Sequence, residues 1–121
     1  MVKASDFQKT LELEVIHAGS NSRLNIEDSD INRPGLQLAG FLDYFPHERP
    51  QVLGKVEMTY LNQLEPQVRY ERLKRFMSYD LPCVTICRSI RCPAELKQLA
   101  EERDIWVFSS PLPTSKFVLN I

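Results

Sequence analysis

The residues able to do chemistry in this 121-residue chain are few. Asp28 and Asp30, with Asp43 further on, are spaced so that a turn could gather carboxylates for Mg²⁺ or for acid-base work, since two carboxylates in one cleft can divide those roles. Asp and Ser also stabilise turns by bonding to their own backbone, and in Asp28–Ser29–Asp30 that reading is the stronger. Arg33 presents a planar fork of donors that either clamps a phosphate or carboxylate, or stands as an exposed charge or an ion-pair partner of a neighbouring Asp. The candidate ligand-binding set is Asp30, Arg33, Gly35 and Gly40, all within one loop, and the ligand it implies is an anionic small molecule.

Other constellations fall short of a reaction centre. Cys83, Cys87 and Cys92 suggest zinc, but His17 and His47 are far away in sequence and no fourth ligand sits nearby, so the thiols read as small core residues. No local base activates Cys87 or Cys92, and an odd set of three cysteines speaks against a disulfide framework. Lys55 follows Gly54, yet Arg49 stands where a phosphate-cradling loop needs its first glycine, and no Gly-x-Gly-x-x-Gly run exists. His47 lies among Tyr44, Phe45, Pro46 and Pro50, a composition that fits a packed loop better than a pH-sensitive contact. The expectation is a chain without catalytic residues, metal or cofactor of its own.

Composition sets the remaining bounds. With 15 Lys plus Arg against 16 Asp plus Glu, the chain offers no overall basic field for nucleic acid or an anionic membrane. Neither a signal peptide nor an apolar span is visible, so the expected location is the cytoplasm. A length of 121 residues, 43% hydrophobic and 26% charged, fits one globular domain over residues 1–121.

The elements that must position these residues follow from periodicity. Ser5 with Gln8 fits a capping box for a short helix over about residues 6–10, and the alternation around Val15 predicts a strand ending at the Gly19–Asn21 turn. Residues 28–40 form a structured loop, because Pro34 keeps Arg33 out of helical geometry and Gly35 tolerates a positive φ. Residues 51–57 are expected to be a strand with a bulge at Gly54, followed by a short helix over 58–64. Pro66 opens the next helix, with Tyr70, Leu73, Phe76 and Met77 on one face and Arg69, Glu71, Arg72, Lys74 and Arg75 largely left to solvent. The apolar runs 83–87 and 105–108, separated by a helix opening at Pro93, make a β-α-β unit with parallel strands covered on both faces. Thr114 or Ser115 is suited to cap a helix that has scarcely begun at Ile121, so the chain's end reads as a cut. The predicted class is α/β, a small mixed or parallel sheet flanked by helices with a C-terminal β-α-β unit.

The succession Ser29-Asp30-Ile31-Asn32-Arg33-Pro34-Gly35-Leu36-Gln37-Leu38-Ala39-Gly40-Phe41, then Asp43-Tyr44-Phe45-Pro46, Glu48-Arg49 and Gln51-Val52-Leu53-Gly54-Lys55, resembles the N-terminal domain of bacterial HPr kinase/phosphorylase. The likeness continues through Pro82-Cys83-Val84-Thr85 and closes with residues 109–117, covering essentially the whole chain. The resemblance implies a fold similar to the N-terminal domains of Mur ligases. It also implies a parent protein whose separate catalytic domain holds the P-loop, ATP and Mg²⁺, phosphorylates a serine of HPr and removes the phosphate again. That parent assembles as a hexamer and governs carbon catabolite repression in the cytoplasm. The partners implied are the catalytic domain and other subunits directly, and HPr indirectly. In the Mur pattern an Asp-Ser-Arg precedes Pro-Gly and binds a uridine nucleotide; here Asp28-Ser29 and Pro34-Gly35 fit, but Asp30 replaces the Arg. An anion there opposes a nucleotide phosphate and leaves the loop readable as a turn alone. Two functions stand side by side: a regulatory or assembly domain of that kinase, and a stand-alone module sensing an anionic metabolite or nucleotide.

Overall fold

The computed structural model describes residues 1–26 and 30–119. Three short runs that are buried along almost their whole length, β4 (Gln51–Leu53), β5 (Val84–Ile86) and β6 (Val107–Ser109), pair in parallel at the centre of a four-stranded sheet. The earlier strands are β1 (Val2–Lys3), β2 (Glu14–His17) and β3 (Arg23–Leu24). β2 joins the sheet antiparallel to β6, giving the order β2-β6-β5-β4, and β1 pairs antiparallel with β3 as a separate ribbon. The sheet is therefore mixed, flanked by helices on both faces, as the α/β reading expected.

Alternation along the strands decides which side chain enters which core. Leu53, Val84, Ile86 and Val107 point into one apolar cluster, while Val52, Cys83, Cys87 and Phe108 point into the other. The first cluster is closed by α2 (Gly35–Leu38), α3 (Lys55–Gln63), α4 (Pro66–Phe76) and α5 (Ala94–Arg103) through Leu38, Leu61, Leu73, Phe76, Leu96 and Leu99. The second is closed by α1 (Ala4–Leu11) through Phe7 and Leu11, by Leu24 of the ribbon, and by Phe117 of α6 (Thr114–Leu119). Each fully buried side chain of this size contributes roughly 1.5–3 kcal/mol, which is why sheets this short hold together only when both faces are covered.

The β5-α5-β6 unit has the parallel neighbouring strands expected of it, and Pro66 occupies the first position of α4. Three local expectations are corrected. α1 starts at Ala4, with Lys3 as its N-cap and no side-chain cap, because Ala4 N–H donates to Ser22 O (2.8 Å) and the Gln8 side-chain amide donates instead to Leu13 O (3.2 Å). The strand expected over 51–57 ends at Leu53, and Gly54 becomes the N-cap of α3, so the helix expected at Met58 begins at Lys55. Within the face expected to lie in solvent, Arg69 is only 17% exposed and Arg72 donates to Ala39 O. α6 extends to Leu119, and residues 120–121 lie outside the described residues.

Candidate functional site

Because β4, β5 and β6 run parallel, their carboxyl ends share one edge, with Leu53 beside Ile86 and Ile86 beside Ser109. In open α/β sheets this edge is where ligands bind. One more rung extends the ladder there, Cys87 N–H donating to Leu53 O and Ser110 N–H to Ile86 O, both at 2.9 Å. Gly54, Cys87 and Ser110 thus stand together at the start of the three outgoing loops.

Arg33 reaches this edge because the chain before α2 runs alongside β4. Asn32 bridges Gln51 in parallel, its N–H donating to Pro50 O while Val52 N–H donates to Asn32 O (both 2.9 Å). Residues before Asn32 are consequently sent toward the amino end of β4 and residues after it toward the carboxyl end. Asp30 stands 3.8 Å from Arg49 on the amino side. Arg33 donates to Glu57 through Nε to Oε2 (3.0 Å) and Nη2 to Oε1 (2.7 Å). Glu57 Oε1 also accepts from Gly54 N–H (2.9 Å), and its side chain is 5% exposed against 42% for Arg33.

Gly54 is required here by close approach. A Cβ on it would stand 2.4 Å from Thr114 Oγ1 and 2.5 Å from Arg33 Nη2. The Thr114 side chain in turn hydrogen-bonds the Cys87 thiol. Burial pushes the Cys87 pKa up, an effect opposed by the Thr114 hydrogen bond and by the nearby charges of Arg33 and Arg88, and reinforced by Glu57. Burial also pushes the Cys83 thiol up to about 12 and the Cys92 thiol up to about 11. Thiols held protonated are poor nucleophiles. Both oxygens of Glu57 are occupied, so it is placed as a brace for the α3 N-terminus and Arg33 and not as a base. Among the described residues no three His, Cys, Asp or Glu side chains gather as metal ligands would.

Arg88 and Ser89 follow Cys87 with φ of 62° and 50°, a left-handed conformation that L-residues adopt at a cost of roughly 1–2 kcal/mol each. Their N–H groups compensate by donating to Leu112 O and Ser110 O (both 2.9 Å), tying the loop after β5 to the loop after β6 and leaving both side chains exposed.

Of the four candidate residues, Arg33 reaches the carboxyl edge, and Gly35 opens α2 with nothing within 4 Å of where its Cβ would be. Asp30 is directed to Arg49, and Gly40, at φ 106°, faces Arg72 of α4. The partner of Arg33 is Glu57 and not a neighbouring Asp. Asp28 and Ser29 lie outside the described residues. His47 packs between Phe45 and Tyr79, with ring centroids 6.0 and 5.3 Å away, beside a cleft of about 360 Å³ at the opposite, amino edge that Asp80, Asp104 and Trp106 also line. Glu57 was the residue missed. The signal for it was Gly54-x-x-Glu57, the spacing at which a third-position carboxylate reaches back to the N-cap N–H.

The chain matches the model of the family described as HPr Serine kinase N terminus over residues 2–121. It belongs to that family. The HPr kinase/phosphorylase of Clostridium perfringens (strain SM101 / Type A) is 43% identical over 113 residues, covering 93% of this chain and 36% of the relative. That of Clostridium acetobutylicum is 38% identical over 120 residues, 99% of this chain and 39% of the relative. The chain therefore spans a little over a third of the length of these curated relatives. In structure it is similar to the CBS and DRTGG domains of the regulatory region of Clostridium perfringens pyrophosphatase, solved with the activator diadenosine tetraphosphate, at a TM-score of 0.67, 10% identity, and coverage of 98% of this chain and 46% of that one. At this identity the likeness concerns the fold alone. The family read from the loop and strand motifs is the family found, and the α/β architecture is shared with the solved neighbour. Among the described residues no helix is long and apolar enough to cross a membrane.

Proposed function

We propose that this chain is the non-catalytic regulatory or assembly domain of an HPr(Ser) kinase/phosphorylase. The observation that carries the reading is the family match over residues 2–121, set against relatives more than twice as long. The geometry supports it: Glu57 is held by both Arg33 and the Gly54 N–H, with Thr114 packed against Gly54, an arrangement that braces loops and occupies both oxygens of the carboxylate. On this reading ATP, Mg²⁺ and contact with HPr belong to a catalytic domain elsewhere in the parent, and the parent's subunits are the partners of this one.

The test has two arms. The 121-residue chain, given ATP, Mg²⁺ and HPr, is expected to transfer no phosphate. Grafted in place of the matched segment of the Clostridium perfringens relative, it is expected to sustain HPr phosphorylation while altering its regulation or assembly. Phosphorylation of HPr by the isolated chain would overturn the proposal, as would a graft indistinguishable from the relative lacking the segment altogether.

The second reading, a module sensing an anionic metabolite or nucleotide, is favoured by one observation, the exposed cations Lys55, Arg88, Arg91, Lys97 and Lys116 on the loops and first helical turns that follow β4, β5 and β6.

A further inference from the structure

From the end of each parallel strand through the first turn of the following helix run residues 54–58, 87–97 and 110–117. These three stretches carry five cations, Lys55, Arg88, Arg91, Lys97 and Lys116, all exposed, and two carboxylates, Glu57 and Glu95. Both carboxylates are already engaged, Glu57 with Arg33 and Glu95 with Arg69 (3.2 Å). The stretches that run from the preceding helices into the same strands, residues 39–50, 77–83 and 104–106, have the opposite balance, with Asp43, Glu48, Asp80 and Asp104 against Arg49 alone. Charge is thus sorted between the two ends of the sheet although the whole chain is nearly neutral.

We infer that the carboxyl edge binds a small molecule bearing two or more phosphates, with Lys55 of α3, Arg88 and Arg91 of the loop after β5, and Lys116 of α6 as its cationic contacts. Adjacent strands lie ~4.8 Å apart, so the loops of β4, β5 and β6 spread their cations over roughly 10 Å. A single phosphate spans one or two loops, whereas two linked phosphates bridge all three. Arg88 is presented outward because its own N–H is spent on Leu112 O, and α5, which follows Arg91, begins at Pro93 with no side-chain cap on its first-turn amides. An anion at that position would meet both the guanidinium forks and the positive end of a ten-residue helix. The inference deepens the sensing side of the proposed function, and its test is separate from the transfer assay, which reads chemistry and not binding.

The experiment is calorimetric titration of the 121-residue chain at low salt with pyrophosphate, inorganic phosphate and ADP. Pyrophosphate is expected to bind at least tenfold more tightly than inorganic phosphate and to weaken as salt is raised. ADP binding more tightly than pyrophosphate identifies a nucleotide as the source of the phosphates; equal binding identifies the diphosphate alone as what is recognised. The double variant R88N/R91Q, in which Asn suits the left-handed position, is expected to lose at least tenfold in pyrophosphate affinity at an unchanged melting temperature. K55Q provides a second, smaller loss should the double variant fold poorly, and R75Q on the exposed face of α4 is the control. No heat with millimolar pyrophosphate, or a loss in R75Q equal to that in R88N/R91Q, overturns the inference.

Discussion

Arg33 holds Glu57 through two parallel hydrogen bonds, yet the two ends of the pair are unequally placed: the carboxylate is 5% exposed and the guanidinium 42%. Removing Arg33 strands a buried charge with Gly54 N–H as its remaining donor, whereas neutralising Glu57 leaves a guanidinium that water can reach. R33M is expected to destabilise the fold by about 2–4 kcal/mol, below the full penalty of a wholly buried pair, and E57Q by about 1 kcal/mol, since the amide oxygen still accepts. Urea unfolding at neutral pH reads both. An E57Q loss as large as that of R33M contradicts the asymmetry.

Gly54 has φ −102° and ψ −166°, extended backbone open to any residue, so the cost of a side chain there is steric alone. The Cβ of G54A would collide with Thr114 Oγ1 and Arg33 Nη2. Overpacking of this kind costs about 1–3 kcal/mol. Removing one obstacle should recover part of it, so G54A/T114A is expected to lose less than the sum of the two single variants, a coupling that thermal melts of the four proteins measure. Strict additivity would place the clash elsewhere.

What the sequence shows and what it hides both follow from range. The β5-α5-β6 unit was legible because Val84–Ile86 and Val107–Phe108 are short apolar runs and Pro93 punctuates the chain between them. The covering of both faces follows from the same runs, but they leave open a mixed or a parallel sheet, since the mixed character comes from β2 pairing antiparallel with β6. Hidden were the features whose cause lies far along the chain. Glu57 looks like a strand residue until Arg33, 24 positions earlier, is set beside it. Ser5 with Gln8 has capping-box spacing, but the pairing of Lys3 with Arg23 fixes the helix start two residues too early for it. In the site loop, Asn32 divides the candidates: its pairing with Gln51 sends Asp30 one way and Arg33 the other, which adjacency in sequence disguises.

Cys83 is fully buried, and its thiol is raised from 9.0 to about 12. A group whose folded pKa lies above its unfolded value contributes stability that is complete below the unfolded value and is lost as pH rises toward the folded one. The chain is therefore expected to lose stability between about pH 9 and 12, with this thiol contributing up to about 1.4 kcal/mol per pH unit. Denaturant midpoints across that window should fall less steeply in C83A than in the parent. Equal slopes would show that Cys83 ionises as readily folded as unfolded.

Arg69 joins three elements through one planar group. Its Nε donates to Leu61 O (2.8 Å), its Nη2 to Leu64 O (2.9 Å), and its Nη1 to Glu95 Oε2 (3.2 Å), so a side chain of α4 satisfies carbonyls at the C-terminal end of α3 and grips α5. A lysine keeps the charge and discards the geometry: one ammonium cannot place donors along three diverging directions. R69K is expected to cost about 1–2 kcal/mol, the net worth of one or two hydrogen bonds, because Leu64 O loses the Arg69 donor and Leu61 O keeps only the Leu64 N–H (3.2 Å). E95Q should cost less, since Arg69 retains both carbonyls and Glu95 is itself 20% exposed. Hydrogen exchange separates this from a general loss of stability: protection in R69K should fall most in the last turn of α3. If R69K instead matches R75Q, on the exposed side of the same helix, the charge and not the fork is what α4 supplies there.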